Sequence, residues 1–563
     1  MTPRFRIAAL LAGALVCAST AFALAAKSDV TAEQARIGAA TSNVVLRAVV
    51  LLDKPGEVQK AGLSAAAAHG VDASRLPGFA GAAADPDLTK LLGKPASLKL
   101  VGEVRAALQK YAQTSNHPFA AVTIPPQDIS SGVLQVVVVE GKLGKVSVEG
   151  ADWFSAGEYE RAVRLKPGQP INNADLSADT DWLNQSQYRH VVIVAQPGAQ
   201  FGTTDLVVRA QDRRPITFNA GFDDTGTKST SLYRMSTGFD WGDAFWRGDD
   251  LNYEFTAAPD PGRLSQHSLS YTFNLPWHDS LSLSGSYATT NSLPSGITNT
   301  TGITGTASPR YNMLLPTVWG IRQTLSLGYD FKTTNNNILF GGVSVFPSTS
   351  EVDQFSATYS GGLADPFGST NATLLIVGSP GGMTPLNNNT AFQSQQAGAV
   401  ANYVYARVTL DRLTELPQGF SWQSRLTGQL SSAILLPSEQ LVFGGFQSIR
   451  GFVEQGVTRD EGVTWQNELR LPTLEAGTAR LLHLDPESDA LVPFWFFDIG
   501  GGRNHQELPG APTSWVSLAS TGPGVTWNVA RNLSFRFTWG IPLMRVGAFI
   551  PRLGPQAALQ LTF

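Results

Sequence analysis

Leu533-Ser534-Phe535-Arg536-Phe537-Thr538-Trp539-Gly540-Ile541 alternates without a break between large apolar side chains and small or polar ones. A β-strand sends successive side chains to opposite faces, so this stretch has one apolar face and one polar face. The same parity recurs in Ser280-Leu281-Ser282-Leu283-Ser284 and in the C-terminal Ala557-Ala558-Leu559-Gln560-Leu561-Thr562-Phe563. A soluble sandwich also alternates, but it needs an apolar interior and buries its aromatic residues more continuously. Apolar residues out, polar residues in and aromatics near strand ends are what lipid outside and water inside demand, so a transmembrane β-barrel is the expected fold.

The pattern extends from Pro215 to the end of the chain. Fifteen strand candidates run from Ile216–Phe222 to Gln556–Phe563, with Ser280–Tyr287 followed next by Gln323–Phe331. Gly-, Asn-, Ser-, Thr- and Pro-rich stretches such as Thr333-Thr334-Asn335-Asn336-Asn337 read as connections between them. About 350 residues at roughly 22 per strand and connection give about 16 antiparallel strands, each spanning with ~9–11 residues.

Composition agrees with a barrel and excludes other classes. The chain has 563 residues, 15% charged, with a formal net charge of −4, so no basic surface argues for nucleic acid. Mean hydropathy is near zero, which alternating strands produce because their two faces cancel. Arg4 and Arg6, the apolar run Ile7–Ala18 and small residues at Ala21, Ala23 and Ala25 predict a secretory signal peptide over 1–25. Cys17, the single cysteine, falls within it, which leaves no thiolate for redox, protease or zinc chemistry in the mature chain. The seven histidines are scattered without metal-ligand spacing, no Ser-His-Asp set can be argued, and no phosphate-cradling glycine loop precedes a helix. No enzyme activity, cofactor or metal is expected.

Two small α+β modules are expected before the barrel, over 43–141 and 142–212, in an approximate β-α-α-β-β order. In the first, Asn43–Asp53 is a strand, Leu98–Ala112 is a helix with its apolar face at Leu100, Val104 and Leu108, and the valine-rich Gly132–Glu140 is a buried strand. The Ala/Gly-rich stretch 61–86 shows little periodicity and reads as a loop or insertion. In the second, Ala156–Leu165 and Asp175–Asn184 are helices, and Val191–Gln196 and Thr204–Ala210 are strands.

Within the 213–563 barrel region, Leu491–Gly500 places Leu491, Trp495, Phe497 and Ile499 on one face and Phe494, Phe496, Asp498 and Gly500 on the other. A carboxylate in lipid is costly, so Asp498 is expected to face the lumen. The long connection 437–462 contains Ser448-Ile449-Arg450-Gly451-Phe452. If it folds inward, Arg450 can meet Asp498 through a two-pronged charge-assisted contact. Gly451 would permit the tight turn, and Phe452 could pack against Phe496.

Four motifs give the chain a family resemblance. Ile449-Arg450-Gly451-Phe452 resembles the V-R-G-[YF] loop tip of the two-partner secretion transporters, the TpsB family of haemolysin and haemagglutinin exporters within the barrel-assembly insertase superfamily. Phe496-x-Asp498-x-Gly500 resembles its F-x-D-x-G strand, and Trp465-Gln466-Asn467-Glu468-Leu469 resembles its N-E-L strand. Pro125-Pro126-Gln127-Asp128-Ile129-Ser130-Ser131-Gly132-Val133-Leu134, running to Val139-Glu140-Gly141, resembles the signature of its first POTRA domain. The order is preserved over nearly the whole mature chain; Ile449 stands where the family has Val.

The resemblance implies two periplasmic POTRA domains ahead of an outer-membrane barrel of about 16 strands. It implies a candidate plug helix and linker over 26–42, and a terminal Phe563 read by the barrel-assembly machinery. It further implies capture, secretion and possible activation of a large β-helical exoprotein of adhesin or haemolysin type, as a type V system in a Gram-negative outer membrane. An assembly or insertion factor of the same superfamily, or a diffusion or uptake porin, would share parts of this pattern.

Overall fold

The computed structural model describes residues 44–563 apart from 65–68, 116, 118, 201, 293–297, 341–342, 347, 476, 479–488, 509–514, 531, 547–551 and 553. The expected signal peptide and candidate plug helix lie outside the described residues. The chain divides into a unit ending at Arg213 and a unit Arg214–Phe563.

The first unit holds two modules with separate cores. In the first, β1 (Ala48–Leu52), β2 (Gly70–Asp72), β3 (Ala121–Thr123) and β4 (Val133–Val139) form a sheet in the order β2-β1-β4-β3. Helix α1 (Leu98–Thr114) starts where the Ser97 hydroxyl accepts the Leu100 N–H. It buries Leu100, Val104, Leu108 and Ala112, a stripe at four-residue spacing. The stretch read as a loop, 61–86, is instead structural: it supplies β2, a 3-10 helix at Pro77–Ala84 and the start of one helical turn at Pro86–Thr89. Val71, Leu76, Phe79 and Ala82 plug the core from it, and Leu88 follows from the helical turn. Small residues hid this element because only Phe79 and the leucines carry much apolar area.

The PPQDIS segment has a local reason. The Gln127 side chain bonds to both the N–H and the C=O of Gln135, acting as an extra strand edge. Asp128 accepts the Ser130 N–H. At Gly132 (φ +80°) a Cβ would lie 2.4 Å from the Val45 carbonyl oxygen, so no other residue fits.

In the second module β5 (Lys142–Glu149), β6 (Arg189–Pro197) and β7 (Thr203–Asp212) form a sheet in the order β5-β7-β6, under α2 (Ala156–Ala162) and α3 (Asn173–Leu183). Ser155 and Asn172 cap the two helices.

The second unit is a closed antiparallel barrel. Its segments are β8 (Ile216–Asp223), β9 (Arg234–Ala244), β10 (Asp249–Ala257), β11 (Leu264–Asn274), β12 (Asp279–Ser292), β13 (Thr298–Val318), β14 (Ile321–Phe340), β15 (Val343–Phe346), β16 (Thr349–Asp365), β17 (Gly368–Ser379), β18 (Tyr403–Glu415) and β19 (Ser421–Ser431). It continues past the small hairpin β20 (Leu441–Phe443) and β21 (Val457–Arg459) with β22 (Glu461–Arg470), β23 (Ala490–Arg503), β24 (Val516–Val529), β25 (Leu533–Trp539), β26 (Ile541–Val546) and β27 (Pro555–Thr562). Since β15 only extends the β14–β16 hairpin and β25 and β26 are one strand interrupted at Gly540, sixteen strands span.

The strand missing from the sequence-based set is β13, which runs Thr298–Val318. Its outward apolar residues fall into two groups, Ile303 and then Tyr311, Met313 and Leu315, separated by Gly305, Ala307 and Pro309, and its inward ones are mostly Thr, Ser and Asn, so the alternation is broken in the middle of the strand. Residues 333–337, read as a connection, lie inside β14.

Closure is made by β27 on β8, with Leu559 opposite Phe222 and Thr562 opposite Asn219. Phe563 extends it: its N–H donates to Phe218 (2.8 Å), and the Phe218 N–H donates to the Phe563 carbonyl (3.0 Å). The tight turns nearest the two chain ends of the barrel carry Trp246, Trp277, Trp319 and Phe367, all strongly exposed, as an aromatic girdle at a membrane–water boundary requires. Outward positions such as Met235, Leu269, Leu283, Leu327, Phe355 and Val408 are exposed large apolar residues. No helix among the described residues is long and apolar enough to cross a membrane; the strands provide the lipid-facing surface.

Candidate functional site

Residues 432–460, between β19 and β22, fold into the lumen. The β20–β21 hairpin stiffens the limbs of this loop, and Gly444, Gly445 and Gly451 supply left-handed backbone at its tip. Arg450, among the largest fully buried side chains, lies there.

Its guanidinium is satisfied on three sides. Nη2 donates to Asp498 Oδ1 (2.6 Å) and Nε to Asp498 Oδ2 (2.7 Å), the two-pronged geometry expected of Arg with a carboxylate. Nη1 donates to Glu468 Oε1 (2.5 Å). The Arg450 backbone N–H also donates to Asp498 Oδ2 (3.1 Å), so the aspartate fixes backbone and side chain together. The flat face of the guanidinium stacks over Phe496, 4.0 Å from the ring centroid.

Each member of the strand motif has a distinct task. Phe496 is the platform and Asp498 the anchor. Gly500 makes room, since a Cβ there would lie 2.7 Å from Ile449 Cδ1. Gly451 (φ +85°) passes against Gly540, which separates β25 from β26, and a Cβ on either would meet the other's backbone within about 3 Å. Phe452 is fully buried in a cluster with Leu441, Phe443, Ile449, Val516 and Leu518. The sequence paired Phe452 with Phe496; the structure gives Phe496 to the guanidinium instead.

Glu468 belongs to this site although only its N-E-L context was noted from the sequence. It receives Arg450, Arg470 (3.1 Å) and Arg536, so two buried carboxylates face three arginines. Strand parity could have found it, because Glu468 lies opposite Phe496 in the β22–β23 register and shares its inward face.

A second cluster, at the root of the loop, has no motif to announce it. Glu439 is 1% exposed. Its carboxylate accepts from Lys332 Nζ (2.6 Å), Gln354 Nε2 (3.1 Å) and Tyr405 Oη (3.1 Å), on three different strands. Its carbonyl accepts from Arg407 (3.2 Å) and Gln429 (3.1 Å). Asp460, at the other limb, accepts from the Leu435 N–H and Gln440. Above it Ala433–Leu436 pack with Phe392, Tyr403 and Val377.

A third contact ties the tip to the closing seam. The Arg552 N–H donates to the Gly451 carbonyl (3.0 Å), while its guanidinium holds Asp224 Oδ2 (2.6 Å), just beyond β8. Phe563 stands apart from all three clusters and is 68% exposed.

The arrangement cross-links a loop to the inner wall; the buried acids and bases are saturated by one another. Residues 202–526 match the family model described as haemolysin secretion/activation protein ShlB/FhaC/HecB, and 69–141 match a POTRA domain of ShlB type. The outer membrane transporter CdiB of Dickeya dadantii (strain 3937) is 26% identical over 365 residues, 61% of each chain. The heme/hemopexin transporter protein HuxB of Haemophilus influenzae (strain 86-028NP) is 21% identical, with 81% of this chain and 80% of that one covered. Among solved structures, CdiB from Escherichia coli superposes with a TM-score of 0.75 at 18% identity, covering 92% of this chain and 90% of the other, a likeness of fold.

Proposed function

The chain belongs to the ShlB/FhaC/HecB family of haemolysin secretion/activation proteins, and we propose that it is the transporter half of a two-partner secretion system. The family is one of outer-membrane transporters, and the barrel with its lipid-facing apolar surface agrees with that location. The match spans 61% of the length of the Dickeya CdiB, so the activity, client and partners are this proposal's own content.

The observation that carries the reading is the lumen loop fixed by Arg450 on Asp498 and Glu468. A diffusion porin has no need of a five-residue ionic cluster, with Arg450, Asp498 and Glu468 buried at its centre, to hold a loop across its pore. We assign residues 1–25 to export, 26–42 to a plug helix and linker, 43–141 and 142–212 to two periplasmic POTRA domains, and Phe563 to recognition by the barrel-assembly machinery. The POTRA domains capture an unfolded exoprotein by adding it to a sheet edge, where main-chain bonds give affinity without strict sequence demands. The client then passes the barrel and folds, and is activated, outside.

Deleting the gene and comparing culture media tests this. A large β-rich protein should vanish from the medium, while other outer-membrane barrels accumulate normally. Intact secretion together with failed barrel assembly would establish the insertion-factor reading in its place.

A further inference from the structure

The barrel carries a second built-up connection besides the lumen loop. Counted from β8, which follows the periplasmic modules directly in the chain, β17 runs towards the cell-surface end, so the 380–402 connection to β18 lies there. It starts with Gly381 and Gly382, both in left-handed backbone (φ +71° and +73°). It also contains α4 (Asn389–Gln395), capped by the Asn388 side chain, which accepts the Ala391 N–H (3.0 Å).

The connection straddles the rim of the wall. On β16, Glu351 and Asp353 share the parity of Phe355, an exposed apolar residue, and so belong to the outer face. Residues 384–387 hang over that face. Thr384 Oγ1 donates to Asp353 Oδ2 (2.6 Å), the Leu386 N–H to Glu351 Oε2 (3.2 Å), and Asn387 Nδ2 to the Glu351 carbonyl (3.1 Å). Asn387 is fully buried, and its carbonyl accepts the Gly382 N–H (2.6 Å). The other limb turns inwards, where Phe392 and Ala399 pack with Val352 and Val377.

Between the limbs an open cleft of about 940 Å³ remains, within the ~300–1,000 Å³ usual for small-ligand sites. No charged side chain is among the described residues that line it. Anions are held by arginine or lysine and metal cations by carboxylates, so the cleft suits neither. What it offers is amides and hydroxyls with capacity to spare. Asn389 Oδ1 accepts the Ala401 N–H (2.8 Å), which leaves its amide N–H groups without a protein partner among the described residues. Asn402 is the reverse: Nδ2 donates to the Pro380 carbonyl (3.1 Å) and Oδ1 is left open. The Thr349 and Thr390 hydroxyls have no protein partner among the described residues either. Leu386, Ala391 and Ala401 add apolar surface between these groups.

We propose that this rim cleft binds a neutral saccharide. A sugar ring presents hydroxyls that both donate and accept along its edge, and C–H groups on its faces. The open amides and hydroxyls match the edge, and Leu386 with the two alanines matches a face. The left-handed turn at Gly381-Gly382 and the buried Asn387 hold the cleft in shape beforehand, so little ordering is lost on binding. The overhang on the outer face puts the cleft beside the outer leaflet, where glycolipid headgroups stand; a free saccharide at the cell surface presents the same chemistry. The inference is independent of the secretion reading and rests on the outer-membrane location alone.

The test immobilises the full chain in detergent. It is exposed to a panel of neutral oligosaccharides in solution, and to lipopolysaccharide micelles whose headgroup either carries or lacks its neutral hexoses. Hexose-bearing micelles should be retained at least fivefold better than hexose-free ones. Thr390→Trp fills the cleft from an exposed position and should remove that difference. Gln393→Trp, exposed on the same helix but outside the cleft, should change retention by less than twofold. Asn402→Ala removes one exposed amide without adding bulk and should lower retention at least threefold, which keeps the test decisive if the tryptophan variant fails to become heat-modifiable on gels. Retention of free oligosaccharides with the same dependence on Thr390 and Asn402 would assign the site to soluble glycans, and hexose-dependent retention of micelles alone would assign it to the glycolipid. If neither probe is retained, or if retention ignores the hexoses or both cleft variants, the proposal is overturned.

Discussion

Arg450→Ala removes the guanidinium that joins the loop tip to β22 and β23. Breaking a buried ion pair by deleting one partner costs roughly 3–5 kcal/mol, because the remaining charge stays buried and uncompensated. The two carboxylates do not suffer equally. Glu468 keeps Arg470 and Arg536, and Asp498 keeps one donor, the residue 450 backbone N–H, so the lower end of that range, about 3 kcal/mol, applies. Ile449 and Phe452 remain buried in the apolar cluster, each retaining ~1.5–3 kcal/mol of transfer free energy. The tip is thus loosened without being expelled outright. At 1.36 kcal/mol per factor of ten, its released population should rise roughly 100-fold. Planar-bilayer recording of the purified barrel reads this as a rise in the fraction of time spent in large-conductance states. The double variant Arg450→Ala/Asp498→Asn removes the orphaned charge as well, so it should recover 1 kcal/mol or more, on the order of the coupling seen for contacting residues. A change below threefold in the single variant, or additive effects in the pair, would refute the reasoning. The exchange Arg450→Asp with Asp498→Arg is a poor test of the same contact. An aspartate at 450 would face Glu468, which now lies 2.5 Å from Arg450, so the swap should fail even though the native pair is real.

Four further outcomes are expected. Gly500→Val drives a side chain into the 2.7 Å approach of Ile449 Cδ1 and should raise open-state occupancy while leaving Arg450 chemistry untouched, as single-channel recording can show. Glu439→Ala strands Lys332 in the lumen and should cost about 3 kcal/mol of barrel stability, measured by the denaturation midpoint, with Glu439→Gln retaining part of it through Gln354 and Tyr405. Burial raises the Asp179 carboxyl above its usual value despite the Arg164 contact. The folded first unit therefore binds that proton more readily than the unfolded chain, and stability from it is lost as pH rises out of the acid range; wild type should gain thermal stability relative to Asp179→Asn as pH falls from neutral towards about 4. Phe563→Ala keeps the main-chain bonds to Phe218, so if its ring is the assembly signal, barrel accumulation should drop as far as it does on deletion of the residue.

What the sequence reveals here follows the size of the physical signal. Strands with a Leu- and Phe-bearing outer face are plain from parity, as in β12 and β25. By contrast β13 is hard to see, because Gly305, Ala307 and Pro309 interrupt its outer apolar positions between Ile303 and Tyr311, and its neighbours' hydrogen bonds carry it across the gap. The Ala-rich 3-10 segment of the first module fails for the same reason, burying Phe79 and Ala82 with little apolar area between them. Asp498 was legible because a charge breaks the parity of an apolar strand, and Arg450 because glycines bracket it. Glu439 sits in Leu436-Pro437-Ser438-Glu439-Gln440, which reads as any polar connection. Lys332, Gln354 and Tyr405, which meet its carboxylate from three strands, lie between 34 and 107 residues away, and only the closed barrel brings them together.

The three fastenings of the loop are unequal, and the inequality decides how it can move. The root is held at both limbs, by Glu439 and Asp460, with apolar packing of Ala433–Leu436 added. Freeing it would expose a buried carboxylate, an ammonium and an apolar cluster at once. The tip is held by one arginine, one small cluster, the Gly451 carbonyl and Glu454, which accepts from Gln556 on β27 (2.7 Å). In the proposed secretion role, force from a client in the lumen therefore releases the tip first, and the β20–β21 hairpin, being internally paired, swings with it as one piece about residues 440 and 460. The partner of the Gly451 carbonyl, Arg552, also binds Asp224 beside the β27–β8 seam. Losing Gly451 leaves that staple in place, so the tip can open the lumen without unlocking the barrel wall. The proposed passage of an unfolded chain, with the sixteen strands kept closed, needs those two events to be separable.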